Sequence, residues 1–279
     1  MRLIWPWQDG SRGFSWLKAS ALALMFMPAL WMLYQYGTGQ FGYVPLAAMT
    51  YWSGVWATAI LLLALAVTPA SRIFRWNQLI IARRMIGVTA LIYTIAHMII
   101  YFGLRLWNFP SIANEMVTRL TLIVASVSTV GLVVLGATSL DAAVLRMGVR
   151  SWQRLHNVVY VTSGLAVLHY LLSPGVFPDQ YLMSGVFFWL LIWRLLDRRG
   201  LGADPTALAT LAVVSSLFTA LFEAGWIWAY HGFEPLGTLG DNFSLDLGLP
   251  PPWQVLGLGL LIALAARYRT RPALRKSAG

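Results

Sequence analysis

Cysteine is absent from the 279 residues. Its absence excludes disulfides, thiolate metal sites and iron–sulfur clusters of the usual cysteine-bound kind. The nitrogen ligands that remain for a metal are four histidines, His97, His156, His169 and His231.

Charged residues are also scarce. They make up only 11% of the chain, whereas 58% of the residues are hydrophobic. Soluble domains are typically about 25% charged. The apolar residues are grouped in long runs, and a run of roughly 18 or more predicts a membrane-spanning helix. Eight such runs lie at about 17–35, 50–68, 80–102, 118–138, 153–172, 181–196, 207–230 and 253–267. The sequence therefore predicts an all-α integral membrane protein with eight spans.

The basic residues predict the orientation of these spans. The net charge is +10, which by itself would suit nucleic acid, but positive charge in short loops marks the cytoplasmic side of a membrane. With the N-terminus inside, all basic residues except Arg105 and Arg119 fall on the inner side. This count includes Arg2 and Arg12 at the N-terminus and Arg271, Arg275 and Lys276 at the other end. We therefore expect both termini to be cytoplasmic, the basic residues to contact the lipid bilayer, and no nucleic acid to bind.

The best internal boundary is the charged, Gly- and Pro-bearing segment 197–205. Six predicted spans precede it and two follow, so we expect a bundle over residues 1–200. Residues 201–279 would form a two-helix extension with an outer loop and a basic cytoplasmic tail. No GxGxxG follows a strand pattern and no Walker-type loop occurs. Nucleotide-driven chemistry would have to come from another protein.

Three histidines lie within predicted spans, where an ionisable residue indicates function. The alternative is that each one only bonds a neighbouring helix. His97 lies about 17 residues into the third span and His169 about 16 into the fifth, and the two spans run parallel. Their matched depth near the outer face suits the two axial positions of a haem iron.

His156 lies thirteen residues before His169, or about 20 Å lower at the helical rise. This spacing suits a second, inner cofactor site. Arg83 and Arg84 lie at a similar depth on the third span, and arginine has no lone pair for iron but can bind a propionate or a flavin phosphate. The inner group is thus a haem with a weak or missing sixth ligand, a flavin or a quinone, with Trp152 packed against it.

The two histidines of the fifth span do not share a face on an ideal helix. Thirteen residues turn them about 140° apart. We expect either a bend near Ser163–Gly164 or a cofactor reached from the flank of the helix.

Two segments resemble a known family. TPASRIFRWNQLIIARRMIGVTALIYTIAH (68–97) and WQRLHNVVYVTSGLAVLHY (152–170) look like the third and fifth helices of the MsrQ (YedZ) family. This family belongs to the ferric reductase-like transmembrane group, which includes the NADPH oxidases, and the resemblance covers roughly residues 14–200.

The resemblance implies that His97, His156 and His169 are the haem-associated histidines. Arg83 would stand where relatives with two complete haem pairs have another histidine. It further implies one or two b-type haems in the bacterial inner membrane. Electrons would pass from a cytoplasmic flavin reductase or membrane quinol to a periplasmic molybdopterin-containing methionine sulfoxide reductase subunit, which repairs envelope proteins.

FMN is also associated with the family, and Arg83, Arg84, Gln153 and Arg154 are candidate contacts by charge and position.

Compact relatives end after six helices, so the extension departs from the family pattern. Its Glu223 is a proton relay, a quinone contact or a packed carboxyl group, and His231 is an outer-surface residue.

The expected function is electron transfer without a substrate-transforming site in this chain. Two alternatives stay open. One is a stand-alone membrane ferric or quinone reductase of the cytochrome b type. The other is a transporter or structural membrane protein without haem.

Overall fold

The computed structural model describes residues 13–246 and 248–270. Those residues form twelve helices: α1 (Trp16–Gly37), α2 (Pro45–Ile73), α3 (Leu79–Leu104), α4 (Phe109–Thr118), α5 (Leu120–Ala137), α6 (Asp141–Met147), α7 (Val149–His156), α8 (Val159–Leu171), α9 (Pro178–Arg198), α10 (Pro205–His231), α11 (Pro235–Asp241) and α12 (Pro251–Thr270). The terminal basic residues Arg2, Arg12, Arg271, Arg275 and Lys276, which entered the topology prediction, lie outside the described residues.

Five helices of the described part are long and apolar enough to cross a membrane, namely α1, α2, α3, α5 and α10. The all-helical membrane architecture is therefore confirmed. With 21 and 20 residues, α9 and α12 also have the length that a bilayer of about 30 Å requires, although they are less apolar. Eight spans and two cytoplasmic termini stay predictions.

The chain divides into two compact units. The first contains residues up to 64 and 78–173, and the second contains 65–77 and all residues from 174 onward. The three histidines predicted to bind cofactors belong to the first unit, and Glu223 and His231 belong to the second. The boundary predicted at residue 200, between the bundle and the two-helix extension, stays a prediction.

In the first unit, α3 completes the backbone hydrogen bonding of α1. Pro28 interrupts α1, and the next N–H, that of Ala29, donates to the Tyr93 hydroxyl at 3.1 Å. The same hydroxyl donates to the carbonyl of Met25 at 2.7 Å. Tyr93 thus stands between the donor and acceptor that an uninterrupted helix would have joined directly.

The predicted fifth span is broken, and the break is not near Ser163–Gly164. It lies at Asn157 and Val158, between α7 and α8, while residues 163 and 164 are inside α8. The Asn157 N–H is shared between the carbonyls of Gln153 and Arg154, and the Val158 N–H bonds the carbonyl of Leu155. These shorter-range bonds tighten the last turn and end α7. His156 and His169 therefore stand on separate helices, and the 140° between ideal helix faces does not apply.

Helices α5 and α8 approach closely in the first unit. Ser128 of α5 donates to the carbonyl of Thr162 at 3.0 Å. A Cβ atom at Gly131 would lie 2.5 Å from Oγ1 of the buried Thr162. Only a residue without a side chain therefore fits at this crossing.

Replacing Gly131 by leucine is expected to force α5 and α8 apart. Overpacking of this kind costs about 1–3 kcal/mol. Thermal unfolding in detergent should show a lower midpoint for Gly131→Leu. Gly87→Leu is the control, because a Cβ atom there meets nothing within 4 Å. Equal midpoints for the two variants would contradict the close crossing.

In the second unit, α9, α10 and α12 pack against one another. Their buried side chains include Trp189, Leu190 and Trp193 of α9, Leu208, Leu211 and Ala212 of α10, and Val255, Ala263 and Ala266 of α12. The two helices of the predicted extension thus share a core with α9.

Candidate functional site

His97 of α3 is held by the polar end of α2. Its Nδ1 lies 2.9 Å from the carbonyl of Thr50 and 3.1 Å from Oγ of Ser53. A carbonyl oxygen only accepts, so Nδ1 carries the proton and Nε2 carries the lone pair. Ser53 is fully buried and donates to the same Thr50 carbonyl. Together these contacts fix both the tautomer and the orientation of the ring.

His169 of α8 is held in the same way by the start of α5. Its Nδ1 lies 3.0 Å from the carbonyl of Thr121. Its Nε2 therefore carries a lone pair as well. In the described part of the chain, neither Nε2 has a hydrogen-bond partner.

The two imidazoles face each other, with ring centroids 6.3 Å apart and planes at 73°. Two histidines on opposite sides of one metal place their centroids about 6 Å apart, since each metal–nitrogen bond is about 2.0 Å and each centroid lies about 1.1 Å behind its nitrogen. The separation thus fits a shared iron. Within the described residues no three His, Cys, Asp or Glu side chains gather around a metal site, and an iron already held by a porphyrin needs only two axial ligands.

Gly54 of α2 provides the space for the His97 ring. A Cβ atom at this position would lie 3.1 Å from Cε1 and 3.3 Å from Nδ1 of His97. The segment that contains Thr50, Ser53 and Gly54 thus supplies the acceptor, the second polar contact and the clearance for one imidazole.

His156 lies in a second cluster with Trp152 and Thr138. The two rings stack with centroids 4.0 Å apart and planes at 27°, and the Trp152 indole donates to the Thr138 carbonyl at 2.8 Å. The Thr138 hydroxyl donates its hydrogen to the carbonyl of Val134 at 2.7 Å. Its contact of 3.2 Å with His156 Nε2 is therefore one in which the imidazole donates. Unlike the other two histidines, His156 has its Nε2 occupied.

Arg83 and Arg84 lie near this cluster. Helix α7 is outside the five spans, and burial lowers the pKa of His156 there. A hydrogen bond with the backbone of Thr138 opposes this shift, whereas the positive charges of Arg83 and Arg84 lower the pKa further. Arg84 also pairs with the exposed Asp141 at 2.5 Å. The structure thus brings together four of the predicted inner-site residues, His156, Trp152, Arg83 and Arg84.

Arg154 is exposed on α7. It lies two residues from both Trp152 and His156, and residues two apart do not share a helix face. Its predicted contact with a cofactor stays a prediction, as do the ligand roles of the three histidines.

An ion cluster around a buried carboxylate was not predicted from the sequence. Glu115 of α4 is 8% exposed, and its Oε1 accepts from Arg105. Its Oε2 accepts from the Tyr101 hydroxyl at 2.7 Å and lies 3.5 Å from Nη1 of Arg119. We call these four residues the Glu115 cluster. One feature of the sequence indicated this cluster. Arg105 and Arg119 are the two basic residues that the predicted topology does not place on the inner side.

Glu223 and His231 belong to α10 in the second unit. Glu223 is half-buried, and its Oε2 has no hydrogen-bond partner among the described residues. His231 is the last residue of the helix and is exposed. The exposure of His231 agrees with the expected surface position, and the role of Glu223 stays a prediction.

Comparison with known proteins gives a consistent family relationship. The family described as ferric reductase like transmembrane component matches residues 52–167. This range includes Arg83, His97 and His156 and ends two residues before His169. No solved structure matches the chain.

Individual relatives match over nearly their whole length. The protein-methionine-sulfoxide reductase heme-binding subunit MsrQ of Azospira oryzae is 32% identical over 215 residues, which cover 76% of this chain and 92% of that protein. The protein of the same name from Cronobacter sakazakii is 32% identical over 66% of this chain and 93% of its own length. That of Caulobacter vibrioides is 31% identical over 67% and 87%.

Proposed function

Because the chain belongs to the MsrQ family, the haem-binding subunits of protein-methionine-sulfoxide reductase, we propose that it carries electrons across the membrane through b-type haem. It is a multi-pass protein of the bacterial inner membrane. The observation that carries the proposal is the facing pair His97 and His169. Their centroid separation and free Nε2 atoms suit one iron.

The chain's own residues prepare this site before the cofactor arrives. The carbonyls of Thr50 and Thr121 fix the Nδ1–H tautomer, so each Nε2 is directed away from its anchoring helix. Gly54 leaves the His97 ring its space. When bound, haem would supply one-electron transfer, and His97 and His169 would hold its iron and set its potential together with its burial.

The proposed direction is from the cytoplasm to the periplasm. A flavin reductase or membrane quinol supplies the electrons. A periplasmic molybdopterin subunit uses them to reduce methionine sulfoxide in envelope proteins. The chain itself transforms no substrate. The family relationship to named subunits of a methionine sulfoxide reductase supports this assignment.

For the inner cluster we propose FMN rather than a second haem. The Nε2–H of His156 already donates to Thr138, so an iron at that nitrogen would require this bond to break. The stacked Trp152 and His156 rings offer a flat face, and Arg83 and Arg84 offer cations for a phosphate. A quinone would use the ring face but carries no anionic group for Arg83 and Arg84 to bind.

Purified protein tests the proposal. We expect about one haem per chain with two nitrogen ligands, and about one FMN in addition. With the molybdopterin subunit in catalytic amount, haem reduced anaerobically should be fully reoxidised only when methionine sulfoxide is also present. Reoxidation by ferric chelates alone would favour the stand-alone reductase, and absence of a Soret band would contradict any haem function. Two haems per chain would contradict FMN in the inner cluster.

A further inference from the structure

The Glu115 cluster combines one carboxylate with two guanidinium groups and one phenol. A buried carboxylate requires partners, because an uncompensated charge is costly in an apolar setting. Arg105 and Tyr101 meet that need at short range. Arg119 has only the longer 3.5 Å contact through Nη1, and its side chain is 61% exposed. The cluster therefore carries an excess of one positive charge, and Arg119 has donors to offer to another anion.

The cluster is connected to both facing histidines. Tyr101 follows His97 by one turn of α3, and Arg105 follows by two turns, or about 6 and 12 Å along the helix axis. Arg119 lies two residues before Thr121, whose carbonyl orients His169. Glu115 thus links the element that bears one imidazole to the element that anchors the other.

A haem between these histidines brings two propionates with it. Carboxylates are unfavourable in the hydrocarbon region and belong at a polar end of the bundle. His97 lies seven residues before the end of α3 and His169 two residues before the end of α8. The Glu115 cluster lies beyond His97 at the end of α3, where α4 and α5 also meet it. Paired guanidinium groups bind carboxylates with charge-assisted hydrogen bonds.

We propose that Arg105 and Arg119 bind the propionates of the haem held by His97 and His169, and that Glu115 positions both guanidinium groups. This inference rests on the proposed function, since it presupposes haem at the facing pair. Its consequence is electrostatic as well as structural. A cation near the haem edge stabilises the more negative, reduced form and raises the reduction potential.

The test uses the full chain produced under haem limitation. Wild type, Arg119→Gln and Arg105→Gln are each loaded with haem or with haem dimethyl ester, which lacks the propionate charges. Dissociation constants and spectroelectrochemical potentials are then measured. Arg146→Gln is the matched control, because it removes the same charge from an exposed site on α6.

For haem, each of the two variants should weaken binding by about tenfold or more and lower the potential. For the dimethyl ester, the variants should bind with the affinity of wild type. Unchanged affinity and potential for haem would overturn the inference, and so would an equal loss with both porphyrins, which indicates a structural role. In either case haem bound by wild type leaves the proposed function standing. A wild type that binds neither porphyrin would overturn both.

Discussion

Replacing His97 or His169 by alanine is expected to remove the low-spin haem spectrum of the purified protein. Each imidazole supplies one free Nε2. Loss of residues that merely orient a metal ligand already costs 10–100-fold in metal affinity. We therefore expect loss of the ligand itself to reduce haem content by more than about tenfold.

His231→Ala is the matched control for this experiment. It removes an exposed histidine from the second unit and should keep the full spectrum. Added imidazole should restore a six-coordinate spectrum to His97→Ala, because the vacated space matches the missing ring. An unaltered low-spin spectrum in both alanine variants would exclude the facing pair as ligands.

Replacing Gly54 by valine should have nearly as large an effect without touching a ligand. Even a Cβ atom would lie 3.1 Å from Cε1 of His97, and the two methyl groups of valine require the ring to move. Since Thr50 and Ser53 hold Nδ1, the movement strains these contacts and misdirects Nε2. We expect a 10–100-fold loss of haem affinity, with a smaller loss for Gly54→Ala.

The helix itself should tolerate the change at Gly54. Valine is a better helix former than glycine by a few tenths of a kcal/mol, so the helix content of the haem-free protein should not fall. Gly87→Val on α3 is the control, since a Cβ atom there meets nothing within 4 Å. If Gly54→Val keeps wild-type haem affinity, the space beside His97 has no part in binding.

The sequence was most informative about long apolar helices and the depth of residues within them. Helices α1, α2, α3, α5 and α10 follow from runs of apolar residues, because the bilayer dictates both length and composition. The constant rise of two helices taken as parallel predicted a matched depth for His97 and His169, and their ring centroids lie 6.3 Å apart. Both results depend on regular geometry that any sequence of this kind must obey.

The orientation of the two imidazoles, the break in the fifth span and the position of Glu115 depend on local contacts that residue types do not specify. The acceptors that orient His97 and His169 are main-chain carbonyls of Thr50 and Thr121, and every residue has such a carbonyl. The break at Asn157 depends on which carbonyls accept the hydrogen bond from its N–H. The place of Glu115 depends on α4, which lies in a segment without a long apolar run.

The contact of Tyr93 with the interrupted turn of α1 has a consequence for biogenesis. The chain is synthesised from its N-terminal end, so the residues of α1 exist before Tyr93 has been made. Until α3 inserts beside it, the Ala29 N–H and the Met25 carbonyl have no phenol to join them. The interrupted turn of α1 is thus completed only when α3 packs against it. His97, one turn beyond Tyr93 on α3, reaches its position in the same step.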